Sequence, residues 1–128
     1  MRLLLDSHVV IWSVEQDHLL SPAAHAAITD PNNDLLLSAA TIWEIAIKVG
    51  SGKMSLSLPY RQWMDRAIAD LGLTTLPITI EYADTQAGLP NHHRDPFDRL
   101  LIAQTLVEGI AVVSADAAFD PYGVTRLW

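Results

Sequence analysis

Four acidic residues, Asp6, Glu44, Asp98 and Asp116, stand far apart in the 128-residue chain, each beside an apolar run. Each alone has an ordinary reading. Asp6 or Asp116 reads as a turn or cap residue, and Glu44 as the i,i+4 partner of Lys48. Asp98 with Asp95 reads as a weakened capping box, with aspartate where glutamate or glutamine is preferred. Together they would have different chemistry. Two carboxylates about 4 Å apart repel by roughly 4 kcal/mol at an effective dielectric near 20. A cluster of four therefore raises its own pKa values or recruits cations. Carboxylate oxygens are hard ligands that suit Mg²⁺ or Mn²⁺, and a chain without cysteine offers only histidine as a softer competitor. One or two such ions can bind a scissile phosphate, activate water and stabilise the departing oxygen.

That chemistry requires a scaffold that brings the four acids together. Arg2 to Leu5 is a short apolar run that stops sharply at Asp6, the pattern of a buried strand entering a loop. A short helix is expected over Ser7–Ser13. A second opens at Ser21-Pro22, with serine at the cap and proline in the first turn, and ends near Asp30-Pro31-Asn32-Asn33. Leu35–Leu37 forms the next strand and Ala39–Val49 the next helix, stopped by Gly50-Ser51-Gly52. Pro59–Leu71 is helical, Thr74–Pro77 a third strand, and Thr79–Ala87 a helix with a threonine cap. In NHHRDPFDRLLIAQTLVE, Asp95 caps a helix with Pro96 at its first position and an apolar stripe beyond. Ile110–Val113 is a fourth strand, and Tyr122–Trp128 permits a short fifth.

Short apolar strands alternating with helices are the signature of βα units around a mostly parallel sheet, so the fold class is α/β and residues 1–128 are expected to form one domain. In such sheets ligands bind beyond the carboxyl ends of the strands, and connecting helices begin at that same edge. Asp6 follows the first strand, and Asp116 lies three residues past Val113. Glu44 sits in the second turn of the helix after the second strand, and Asp98 in the first turn of the helix leading to the fourth. All four converge on one edge.

Composition narrows the reading. Half the residues are hydrophobic and 18% are charged, which fits a folded globular chain and excludes a disordered one. The absence of cysteine suits a reducing cytoplasm. Asp6 and His8 interrupt the N-terminal apolar run, which argues against a signal peptide, and no run reaches the roughly 20 residues of a membrane span. A net charge of −7 argues against a broad basic face for nucleic acid, but not against an enzyme that meets phosphate through bound metal. An aspartyl-phosphate enzyme would want a second aspartate at position 8, where His8 stands.

LLLDSHVVIW at the start, IWEIAIK at 42–48, DPFDRLLIAQ at 95–104 and VSADAAF at 113–119 resemble, in order and over essentially the whole chain, the acidic motifs of PIN-domain ribonucleases. Among these the chain is most similar to VapC-type toxins of type II toxin–antitoxin pairs. The resemblance implies a PIN-like three-layer domain with a five-stranded parallel sheet. It also implies Mg²⁺- or Mn²⁺-dependent endoribonuclease activity, a homodimer, and neutralisation by a cognate antitoxin. Asp6, Glu44, Asp98 and Asp116 match the metal-binding quartet, and the hydroxyls of Ser7 and Ser114 can orient a metal-bound water. Around them, Asp95 reads as the helix cap more than a ligand. His92 and His93 are candidate substrate or metal contacts on a solvated loop, and His8 reads as packing on the first helix. Arg94 and Arg99 are candidate phosphate contacts, since guanidinium binds phosphate bidentately; ordinary surface bases are the alternative. Trp12, Trp43 and Trp63 read as core or dimer contacts. The rival function is a binding protein of this fold whose acidic cluster is structural.

Overall fold

The computed structural model describes all 128 residues. The chain lays down β1 (Arg2–Leu5), α1 (Ser7–Glu15), α2 (Pro22–Thr29), β2 (Asp34–Ser38), α3 (Ala39–Gly50) and α4 (Tyr60–Leu71). It continues through β3 (Thr74–Leu76), α5 (Ile80–Ala87), α6 (Pro96–Glu108), β4 (Ala111–Val113) and β5 (Arg126–Leu127). The strands form one sheet in the order β3-β2-β1-β4-β5, and every neighbouring pair is parallel.

The leucine runs explain the layering. Parallel strands covered on both faces are continuously apolar, and successive side chains alternate between those faces. Leu3, Leu5, Leu35 and Leu37 pack against one layer that includes Val9, Val10, Ile45 and Trp63. Leu4, Leu36 and Val112 pack against the other, with Tyr82, Leu101, Ile102 and Phe119. The result is the expected three-layer α/β arrangement with a five-stranded parallel sheet.

Helix starts follow their caps. Ser21 accepts from Ala24 N at 3.1 Å, Thr79 from Tyr82 N at 3.3 Å, and Asp95 from Phe97 N at 2.9 Å. At the C-terminus the structure is narrower than the expected strand. β5 holds only Arg126 and Leu127, because Tyr122 closes a 3-10 turn over Ala117–Tyr122 and Gly123 reverses the chain at φ 74°, a conformation open to glycine. The three indoles also separate: Trp63 is core at 1% exposure, whereas Trp43 is 62% exposed. Trp12 packs 5.9 Å from Trp128. No helix is long and apolar enough to cross a membrane.

Candidate metal and nuclease site

In the sheet order, chain connections diverge to either side of β1, so the crevice beyond the ends of β1 and β4 is the topological switch point at which open α/β sheets bind ligands. Asp6 and Asp116 flank it. Asp6 is 2% exposed, and its backbone N–H extends the sheet ladder to Val113 O at 3.1 Å. Its Oδ1 accepts from Ser7 N at 2.7 Å, capping α1. Its Oδ2 accepts from the buried Ser114 Oγ at 2.7 Å. Ser114 Oγ in turn accepts from Asp116 N at 3.0 Å. One hydroxyl thus ties the loop after β1 to the loop after β4 and fixes the two aspartates relative to each other.

Asp98 faces the same crevice from the first turn of α6. One ligand atom from each of His93, Asp98 and Asp116 lies within 4.8 Å of the other two. His93 Nε2 is 2.7 Å from Asp98 Oδ2. Burial pushes the Asp98 carboxyl from 3.8 up to about 7; the His93 hydrogen bond opposes this, and the charges of Asp6, Asp95 and Glu44 reinforce it. The hydrogen bond to Asp98 raises His93 above its ordinary value, against some desolvation, and the charges of Asp98, Asp116 and Asp95 add to it. The pair competes for one proton in a field of surrounding anions.

Glu44 reaches in from α3 at 3% exposure. Its Oε2 is held by Lys48 Nζ at 2.7 Å, so the i,i+4 pair exists, but on the buried side of the helix. Burial works against the Lys48 charge, yet the hydrogen bond and charge of Glu44, with Asp95 and Asp98, keep its pKa above the lysine norm. Glu44 Oε1 is buried and has no hydrogen-bond partner. An unsatisfied buried carboxylate oxygen calls for an explanation. A hard divalent ion among oxygen donors supplies one, so these residues fit Mg²⁺ or Mn²⁺.

The neighbouring residues divide by task. Asp95 Oδ1 caps α6 through Phe97 N and Asp98 N. Asp95 is therefore the cap, and it adds negative charge near the site. Ser7 contributes its backbone N–H to Asp6. His92 packs on Tyr122 with ring centroids 5.2 Å apart. His8 does more than pack on Trp12: the Ala115 N–H donates to its Nε2 at 3.0 Å, leaving Nδ1 as the protonated nitrogen, 3.4 Å from Asp6 Oδ2. Arg99, expected as a candidate phosphate contact, is committed elsewhere. Its guanidinium donates to the carbonyls of Gln86, Leu89 and Pro90 and to the Tyr122 hydroxyl at 2.8–3.2 Å, so it braces the loop before α6 and has no free edge for phosphate.

Tyr122 had no place in the sequence-based site. Its hydroxyl accepts from His92 N at 3.1 Å and His93 N at 2.8 Å, which positions the loop that delivers His93 to Asp98. Only the aromatic near the fourth motif hinted at it, and its partners lie about 30 residues away in sequence.

The PIN domain family model matches residues 3–124. Ribonuclease VapC22 of Mycobacterium tuberculosis is 32% identical over 114 residues, covering 88% of this chain and 85% of that protein. Among solved structures, VapBC2 from Rickettsia felis, bound to a DNA fragment from its promoter, superposes with a TM-score of 0.67 at 14% identity. That alignment covers 98% of this chain and 97% of the other. VapBC-5 from Mycobacterium tuberculosis, a member of the VapBC family of toxin–antitoxin systems, gives 0.60 at 18% identity, over 94% and 89%.

Proposed function

Because the chain belongs to the PIN-domain family, we propose that it is a Mg²⁺- or Mn²⁺-dependent endoribonuclease and the toxin of a toxin–antitoxin pair. The observation that carries this reading is the meeting of His93, Asp98 and Asp116 at the sheet's carboxyl edge; buried Asp6 and Glu44 lie outside that trio, and their charges reach Asp98. The similarity to a ribonuclease of known name supports the reaction class, and likeness to toxin–antitoxin complexes supports an antitoxin partner.

Asp6, Glu44, Asp98 and Asp116 would hold the cation. A bound divalent ion supplies Lewis acidity toward the phosphate and lowers the pKa of a coordinated water. The remaining work belongs to the chain. Ser114 locks Asp6 and Asp116 in register, and Lys48 holds one oxygen of Glu44. Asp95 ties the start of α6 so that Asp98 projects into the crevice. In the metal-free protein His93 offsets part of the Asp98 charge, and it stands where it can hold or release a proton beside the reacting phosphate. Preorganised charge of this kind is what phosphoryl chemistry demands of a protein.

Homodimerisation belongs to the same proposal. Exposed Ile78 and Ile80 are the kind of apolar surface that partners cover. The test of activity is cleavage of RNA by the purified, partner-free protein. Cleavage should require Mg²⁺ or Mn²⁺, stop with EDTA, and be lost in Asp116→Asn with the fold intact. Cleavage that persists under chelation would remove the mechanism.

A further inference from the structure

Most cations of this acidic chain already have structural partners. Arg2 pairs with Glu108, Lys48 with Glu44, Arg61 with Asp65, Arg66 with Asp70, and Arg126 with Asp120. Arg99 is saturated by carbonyls and Tyr122. Lys53 and Arg94 remain, and they line one cleft of about 460 Å³ between the end of α3 and the loop before α6. Glu44 lines the same cleft, which therefore borders the acidic site through that residue. One oxygen of each of its acids is engaged: Glu44 Oε2 with Lys48, and Asp95 Oδ1 with the backbone of α6. Phe97 forms one wall and meets the exposed indole of Trp43 edge-on, with centroids 5.7 Å apart.

Two uncommitted cations beside an aromatic surface are what a single nucleic-acid strand requires: charge for the backbone and a π-face for a base. On a chain of net charge −7, this local cationic cleft is where an anionic strand can lie next to the acids without meeting their repulsion alone. We propose that the cleft is the path of the RNA strand leaving the cleavage point. Lys53 and Arg94 hold a phosphate adjacent to the scissile one, and Trp43 stacks a base of the same strand. These are positioning residues, and the inference rests on the ribonuclease reading.

The test measures binding and cutting separately. Binding of a fluorescein-labelled single-stranded RNA 12-mer is followed by anisotropy in Ca²⁺, which offers the acids a hard cation, over a salt series. Lys53→Gln and Arg94→Gln should each weaken binding roughly tenfold. Each should also flatten the slope of log Kd against log salt by about 0.7. Trp43→Ala should weaken binding roughly tenfold at unchanged slope, with Trp43→Phe recovering much of the loss. Arg66→Gln, a substitution at an ion-paired surface base on α4, should change neither. In Mn²⁺ turnover the Lys53 and Arg94 losses should appear in KM and not in kcat. If wild type cuts RNA but the Lys53 and Arg94 variants keep its affinity and salt slope, the cleft assignment falls and the nuclease reading stands. If wild type binds through these residues but never cuts, the nuclease reading falls and the cleft remains. Variants that lose affinity only for a protein partner overturn the strand path.

Discussion

Replacing Asp98 by asparagine should stabilise the metal-free protein at alkaline pH, the opposite of what truncating a helix-terminal acid usually does. Burial holds the Asp98 pKa at about 7, against 3.8 for a free carboxyl. The folded value exceeds the unfolded one, so the native state binds more protons between those limits and stability falls as pH rises through that window. Three pK units correspond to about 4 kcal/mol at most. The side chain retains 13% exposure, and His93 returns part of the cost, so solvent screening reduces this to about 2 kcal/mol. His93 acts in the same direction: its raised pKa gives stability that is present below about pH 6.5 and lost as pH climbs through its folded value. Against this stands the favourable interaction of Asp98 with the start of α6, worth about 0.3–1 kcal/mol, which asparagine forfeits. The repulsion wins. Thermal unfolding in EDTA at pH 5.5 and pH 8 should show wild type losing roughly 5–10 °C across that interval. Asp98→Asn should be flatter and the more stable of the two at pH 8. Mn²⁺ should raise the wild-type Tm at pH 8 and leave the variant nearly unchanged. A variant that is less stable than wild type at pH 8, with the same pH slope, would refute the claim that anionic crowding strains this site.

Lys48→Met leaves the buried Glu44 without its counter-ion; the metal-free protein should lose about 2 kcal/mol, discounted for the half-exposed ammonium, as read by urea unfolding. Ser114→Ala removes the hydroxyl that joins Asp6 to the backbone of Asp116, which should cost about 1–3 kcal/mol and lower kcat for RNA cleavage more than it raises KM. Tyr122→Phe removes the acceptor of two loop N–H groups; amide exchange at His92 and His93 should accelerate, with a global loss of only about 1 kcal/mol.

The sheet and the edge that carries the acids were legible because local and global signals agree. Leucine runs ended by Asp6 and Ser38, and helices capped by Ser21, Thr79 and Asp95, can be read in windows of a few residues. The carboxyl-edge rule then turns strand ends into a location. What could not be read depends on contacts between distant segments. Nothing near Arg99 in sequence announces that Pro90, Leu89 and Gln86 carbonyls will surround its guanidinium, so it looked as available as Arg94. His8 meets Ala115 across 107 residues. Trp43 and Trp63 share helical surroundings of aliphatics, and only the packing of α3 and α4 decides that one indole is buried and the other exposed. The same limit hid Lys53, which stands out only because every other base except Arg94 is paired or saturated in the fold.

The central claim is that the acids form one metal-dependent site for cutting RNA. It is tested most directly by the Mn²⁺ dependence of RNA cleavage in Asp6→Asn, Asp98→Asn and the double variant. Residues that act as a unit are strongly non-additive, so each single change should abolish nearly all metal-dependent cleavage and the double should fall no further. Cleavage that survives either substitution, or losses that simply multiply in the double variant, would contradict a single shared site.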